Sequence, residues 1–299
     1  MIGTSGGGFA LMTEALSLAG MAELPVVIVL SQRAAPSTGV PTYTMQGDLL
    51  FAINAGHGEF QRIVVAPGDA EEAFYLTGEV MDLAWKYQMP AIILADKHLS
   101  ESTFFAEIDL RKVRKEEPKM WNEEGEYLRY YDTLSGVSPL AFPGNRKAIV
   151  KATSYEHDEY GITTEDPQKV ALMIEKRKKK SRSLIEELKK KQTVKVSSNK
   201  NEKVVLIGWG STKGVLEEVA KELGFKFVQP LYLEPFPEWE IKKALQGARE
   251  IIDVEMNSEG QLAKLLRCYG IEVTHKILKY DARPFTPEEL IKKIWQTLK

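Results

Sequence analysis

Apolar residues along the chain fall into short unbroken runs separated by stretches with a helical period. Residues 25–30, Pro25-Val26-Val27-Ile28-Val29-Leu30, form one such run, as a strand covered on both faces requires. Residues 62–66 and 89–95 read as two further strands. Residues 9–22 read as a helix. A second helix opens at Pro67-Gly68-Asp69 and continues through Phe74, Leu76, Val80, Met81, Leu83 and Ala84; Asp69 is its expected N-cap and Glu72 the reciprocal capping-box residue. Residues 45–55 predict a short helix, followed by a turn at Gly56-His57-Gly58-Glu59. Strand and helix thus alternate from residue 25 to about residue 95, which predicts a parallel sheet with covering helices.

The period fades over residues 99–168, where aromatics, prolines and charges cluster around turns at Gly136-Val137-Ser138-Pro139 and Phe142-Pro143-Gly144. An irregular connector of that length is uncommon and often functional or interfacial. Residues 167–191 predict a long amphipathic helix with Val170, Ile174, Leu184, Ile185 and Leu188 on its apolar side. Inside it lies Lys176-Arg177-Lys178-Lys179-Lys180; without interleaved aromatics this basic run is expected to be a solvated face rather than a nucleic-acid patch. Residues 192–202 read as a polar linker. A second α/β pattern follows, with strands at 204–207, within 225–233, at 250–255 and at 273–278, and helices up to 223 and at 239–246, 259–267 and 287–298. The expected division is a first α/β domain over 1–105, a connector with the basic helix over 106–202 and a second α/β domain over 203–299.

Composition narrows the function classes. The 299 residues suffice for about two domains, and the net charge of −2 gives no global argument for nucleic acid or membrane. The run at 25–30 is too short to span a bilayer, and no basic-then-apolar signal peptide opens the chain, so a cytoplasmic location is expected. The single cysteine, Cys268, excludes a disulfide framework and a cubane iron–sulfur cluster held by this chain alone. His57, His98, His157 and His275 show no metal-ligand spacing, so no metal site is expected here. Gly208-x-Gly210-x-x-x-Gly214 departs from the dinucleotide fingerprint and reads as a tight turn.

Two polar turns flank the strand at 25–30, and in an open α/β sheet ligands bind at the carboxyl ends of strands. Gly3-Thr4-Ser5-Gly6-Gly7-Gly8 leads into a helix; capping by Thr4 or Ser5 leaves backbone N–H groups for an anion or polar ring, or else the segment is a tight strand-to-helix turn. Arg33 follows the strand directly and opens a hydroxyl-rich loop. A guanidinium there can hold a carboxylate in bidentate fashion, with Ser37, Thr38 and Thr42 adding hydrogen bonds; the alternative is a surface arginine in a salt bridge. His57, between two glycines, is either at an active-site edge or an ordinary loop histidine.

Taken together, Thr4-Ser5-Gly6-x-Gly8, Gln32-Arg33-x-x-Pro36-Ser37-Thr38-Gly39-x-Pro41-Thr42 and Gln46-Gly47-Asp48-Leu49 resemble the α subunit of 2-oxoacid:ferredoxin oxidoreductases. The resemblance continues through Gly136-Val137-Ser138-Pro139, His157-Asp158-Glu159-Tyr160-Gly161, Glu255-x-Asn257-x-x-Gly260-Gln261-Leu262 and Lys279-Tyr280-Asp281-x-Arg283-Pro284-Phe285-Thr286. It implies a parallel-sheet, pyrimidine-type thiamine-diphosphate domain followed by a transketolase C-terminal-like α/β domain. It further implies oxidative decarboxylation of 2-oxoglutarate, pyruvate or a related 2-oxoacid, with the acyl group passed to coenzyme A and the electrons to ferredoxin. By this resemblance Arg33, Ser37, Thr38 and Thr42 bind substrate, and Thr4, Ser5, Gly6 and His57 lie by the cofactor. Thiamine diphosphate is shared with a partner β subunit, which carries Mg2+ and the 4Fe-4S cluster. The family's Tyr-Pro-Ile-Thr-Pro motif and its activating glutamate are expected before Met1, so the first domain is expected to be N-terminally incomplete, no catalytic residue is assigned to this chain, and the chain alone is expected to be inactive. A non-catalytic assembly or regulatory subunit and a dehydrogenase E1 β-type component remain the alternatives.

Overall fold

A computed structural model describes residues 1–113, 115–198 and 201–299. Two five-stranded sheets form its frame. In the first, β1 (Ile2–Thr4), β2 (Val26–Gln32), β3 (Ile63–Val65) and β4 (Pro90–Asp96) run parallel in the order β1-β2-β4-β3. In the second, β5 (Val194–Ser197), β6 (Asn201–Ile207), β7 (Phe225–Pro230), β9 (Glu250–Glu255) and β10 (His275–Leu278) are arranged β10-β9-β6-β7-β5, with only β5 antiparallel. The remaining strand, β8 (Tyr232–Glu234), pairs antiparallel with β3 and closes the first sheet. The apolar stretch at 225–233 is therefore two strands in two sheets. Pro230 ends the first, since it has no N–H for a ladder. Leu231 then bridges the sheets, its N–H donating to the Thr193 carbonyl (2.9 Å) and its carbonyl accepting from Ala66 N–H (2.9 Å).

The helices follow from the same patterning: α1 (Gly6–Ala10), α2 (Thr13–Met21), α3 (Leu49–Asn54), α4 (Ala70–Tyr87), α5 (Lys97–Glu101), α6 (Pro167–Leu188), α7 (Lys213–Leu223), α8 (Glu238–Ala244), α9 (Gln261–Cys268) and α10 (Pro287–Thr297). The helix read at 9–22 begins earlier and breaks in two around Leu11, which is 89% exposed and has no face to bury. Every residue of β4 is buried, because it lies between β2 and β3 with helices on both sides; its unbroken apolar run encodes that position. Asp69 caps α4, accepting from Glu72 N–H at 2.8 Å. Glu72 does not complete a reciprocal box. It accepts from Gly68 N–H (2.6 Å), Gln229 Nε2 (2.8 Å) and Lys213 Nζ (2.7 Å), and so ties α4 to the second sheet. The polar linker read at 192–202 contains β5 and the start of β6, with Val194 buried; positions 199–200 lie outside the described residues. Among the described residues no helix is long and apolar enough to cross a membrane.

The basic run on α6 is the main departure from the sequence reading. Lys176 is 0% exposed and Lys180 4% exposed, and both donate to the carboxylate of Glu23 at 2.7 Å. Spacing of four residues puts the two ammonium groups on one helix face. Arg177 pairs with Glu156 and Lys179 with Asp132, while Lys178 lies exposed in a surface pair with Glu175, the one of the five that fits a solvated face. Around Glu23 the irregular connector is folded down: Arg129 donates to the Ala22 and Glu23 carbonyls (3.2 and 2.7 Å) and to Gln88 Oε1 (2.8 Å). Tyr130 packs tilted against the fully buried His157 ring with centroids 3.7 Å apart, and burial pushes that imidazole's pKa down. Against the cost of its own burial, Lys180 and Lys176 hold the Glu23 carboxyl well below its ordinary value, while burial pushes Lys180 down to about 8.

Removing one member of such a cluster strands the others. Glu23→Ala is expected to lose about 3–5 kcal/mol, measured by urea unfolding at pH 7. A carboxyl with a depressed folded pKa contributes stability that is full above its unfolded value of 4.5 and fades as pH falls below it. The parent should therefore lose more stability between pH 6 and pH 3 than Glu23→Gln does; equal losses would contradict the role given to Glu23.

Candidate functional site

The carboxyl ends of β1, β2 and β4 lie side by side and carry the polar residues that sequence patterning placed there. Thr4 ends β1, and Ser5 is the extended residue from which α1 begins. A Cβ on Gly8 would stand 2.2 Å from Thr4 Oγ1, so glycine there lets the Thr4 hydroxyl fold over the helix start. A Cβ on Gly6 would stand 2.9 Å from Asp48 Oδ2. The turn therefore rests against Asp48, whose carboxyl is raised in pKa by burial. Gln32, the last residue of β2, is buried and links three elements: its Nε2 donates to the Ala95 carbonyl (3.1 Å) and its Oε1 accepts Asp48 N–H (2.8 Å).

Arg33 comes next, half-buried, and its side chain makes no hydrogen bond or ion pair among the described residues. The loop beyond it closes on itself. Val40 N–H donates to the Ala34 carbonyl (2.9 Å), Ala34 N–H to the Tyr43 carbonyl (3.3 Å) and Tyr43 N–H to the Val40 carbonyl (3.2 Å). Ser37, Thr38 and Thr42 stand exposed on this loop. The structure thus brings Thr4, Ser5 and Gly6 to the same end of adjacent strands as Arg33 and its hydroxyl residues. It does not bring His57 there: that residue is exposed beyond α3, which leads away from this edge toward the start of β3, and its N–H is held by Ser17 Oγ (2.8 Å).

The second sheet holds the segment between the loop and α3. Gln46 is fully buried, and each of its polar groups has a partner from the second sheet's carboxyl edge. Its N–H donates to the Met256 carbonyl (2.8 Å), its Oε1 accepts Met256 N–H (3.0 Å), its Nε2 donates to the Trp209 carbonyl (2.7 Å) and its carbonyl accepts Asn257 Nδ2 (3.0 Å). Gln261 repeats the arrangement one step on, donating to the Gly47 carbonyl (2.6 Å) and accepting Leu50 N–H (2.9 Å). Behind them Glu255 accepts Trp209 Nε1, Asn257 Nδ2 and Leu262 N–H. Burial and the adjacent Glu255 hold Asp253 well above the usual carboxylate range. On the other flank, burial raises Asp96, which accepts Leu99 N–H at 3.0 Å. A cleft of about 140 Å3 opens between the sheets, lined by Gly68, His98, Ser211, Lys213, Met256 and Phe285 among others.

Sequence reading missed the parts played by Gln32, Gln46 and Asp48. The motif Gln46-Gly47-Asp48-Leu49 carries no role in the sequence alone, since a buried glutamine leaves no trace in hydropathy. Among the described residues no group of three or more His, Cys, Asp or Glu side chains could hold a metal ion.

Two mainly parallel α/β layers thus meet at their carboxyl edges. Residues 1–176 match the family described as pyruvate flavodoxin/ferredoxin oxidoreductase, thiamine-diphosphate-binding. The 2-oxoacid:ferredoxin oxidoreductase subunit alpha of Saccharolobus solfataricus is 42% identical over 298 residues, 96% of this chain and 47% of that one. A solved structure of 2-oxoglutarate:ferredoxin oxidoreductase from Magnetococcus marinus, with 2-oxoglutarate, coenzyme A and succinyl-CoA bound, aligns with a TM-score of 0.91 at 33% identity, over 100% of this chain and 53% of that one. A split-gene transketolase, described as an inactive β4 tetramer, aligns with a TM-score of 0.52 at 12% identity over 99% of this chain and 75% of its own, a likeness of fold alone. The chain belongs to the α-subunit family of the 2-oxoacid:ferredoxin oxidoreductases, and it spans about half the length of relatives such as the Saccharolobus subunit. The expected fold class, parallel-sheet α/β with a transketolase-like second unit, is the one observed.

Gly39 decides whether the Arg33 loop closes. Its φ is +54°, and a Cβ there would stand 1.9 Å from the Ala34 carbonyl oxygen. Gly39→Ala is expected to open the loop at a local cost of about 1–3 kcal/mol. Limited proteolysis should then cut within 35–43 much faster than in the parent, and equal rates would show that the closed loop is not held by this contact.

Proposed function

We propose that this chain supplies the substrate-carboxylate site and the pyrimidine side of the cofactor site in a thiamine-diphosphate-dependent, CoA-acylating 2-oxoacid:ferredoxin oxidoreductase. The observation that carries this reading is Arg33, a half-buried guanidinium at a strand end with no partner of its own among the described residues. By contrast the buried Lys176, Lys180 and Lys213 and the half-buried Arg177 are already paired. An unpaired fork of N–H donors is suited to a carboxylate brought by a ligand.

The donors on this chain fit one side of the cofactor. The hydroxyls of Thr4 and Ser5 and the opening N–H groups of α1 lie one strand from Arg33, as the polar edge of a pyrimidine requires. They do not fit its diphosphate and Mg2+, since the described residues include no metal-holding cluster. Those donors, and the 4Fe-4S cluster that one cysteine cannot bind, are assigned to a β subunit. When bound, thiamine diphosphate supplies the carbon nucleophile for decarboxylation.

Arg33 fixes the substrate carboxylate, and the hydroxyls of Ser37, Thr38 and Thr42 close over it. The carboxylate leaves as CO2, the acyl group passes to coenzyme A and the electrons pass to ferredoxin. The bound 2-oxoglutarate of the structurally similar Magnetococcus enzyme supports 2-oxoglutarate as one substrate. His57, placed away from this edge, has no part in the proposal.

In the assembled enzyme, Arg33→Ala is expected to raise KM for the 2-oxoacid about a hundredfold, with Arg33→Lys intermediate. Steady-state reduction of ferredoxin with varied 2-oxoacid checks this. An unchanged KM removes Arg33 from the substrate site, and an assembled parent complex that reduces no ferredoxin with any 2-oxoacid removes the activity itself.

A further inference from the structure

We infer that Arg283, on the second domain, is a positioning residue for Arg33, acting through the ring of Tyr43. This rests on the carboxylate reading of Arg33 for its kinetic consequence but not for its structural one. Arg33 has no side-chain partner among the described residues, so the backbone that follows it decides where its guanidinium points. That backbone belongs to a loop in which Ala34 is buried and residues 35–43 are all exposed. Its internal bonds run from Ala34 to Val40 and Tyr43, which makes Tyr43 the side of the loop opposite Arg33.

The Arg283 guanidinium lies 3.3 Å from the centroid of the Tyr43 ring. Arg283 is itself presented from a stiff turn. Its N–H donates to Asp281 Oδ1 (3.0 Å) and its Nη1 to the Ala282 carbonyl (3.1 Å), while Ala282, at φ +63°, is buried in the second domain. A planar cation over a ring face is attractive without needing a hydrogen-bond direction, so it fixes the height of the loop while leaving its hydroxyls free. Arg283 would thus set the loop from the second domain, as Gln46 sets the segment after it.

The test is a double-mutant cycle in the assembled enzyme with Arg283→Ala and Tyr43→Ala. Each single change is expected to raise KM for the 2-oxoacid about 3- to 10-fold with little change in kcat, and the double variant to be no worse than either. Tyr43→Phe keeps the ring and should restore the parent KM. Hydrogen exchange provides a readout independent of turnover: the Ala34, Val40 and Tyr43 amides should exchange faster in Arg283→Ala, with the second sheet unaffected. Additive kinetic effects would mean that Arg283 meets the substrate directly, and these, an unchanged KM or unchanged exchange would each overturn the proposal. If the parent complex shows no turnover, the functional reading fails and the exchange result alone decides the clamp.

Discussion

The structure turns on Gln46. It is a buried amide in a short link between an exposed loop and a helix, and burying a peptide or amide group without partners costs several kcal/mol. Here each of its donor and acceptor groups is met, and the partners come from Trp209, Met256 and Asn257. The link between the Arg33 loop and α3 is consequently held by the carboxyl edge of the second sheet. Gln261, reading the backbone at Gly47 and Leu50, extends this from a point to a segment. The proposed site is thus framed by two sheets rather than one.

A second set of buried charges fixes the same first sheet from its amino end. Glu23 draws Lys176, Lys180 and the connector around Arg129 onto the end of α2. At the carboxyl edge, Lys213, with Glu72 and Asp69, ties α4 to α7. Ion pairs of this kind contribute little net stability against an apolar replacement, but breaking one side of them is costly. They specify which faces meet. The long irregular connector can therefore keep a defined path while carrying little regular structure of its own.

How much of this was legible in the chain depended on range. Strands β2 and β4 were readable because a doubly covered strand needs an unbroken apolar run, and the start of α4 because Asp69 caps within three residues. The Arg33 segment was readable as a loop at a strand end because its hydroxyls and prolines follow a buried strand directly. The basic run on α6 was misread because its partner, Glu23, lies 153 residues from Lys176, and hydropathy records a lysine as solvated whatever it meets. β8 was merged with β7 because periodicity shows that a segment is extended and not which sheet it joins. Gln46 had no signal at all beyond its place in a motif, since a saturated buried amide looks like any polar loop residue.

The account stands most directly on the claim that Gln46 couples the two sheets at the site. Hydrogen exchange of Gln46→Ala against the parent measures it. The account predicts that residues 44–50 and 256–262 both exchange faster in the variant, while β4 and β6 keep their protection. Unchanged protection of either segment would contradict it.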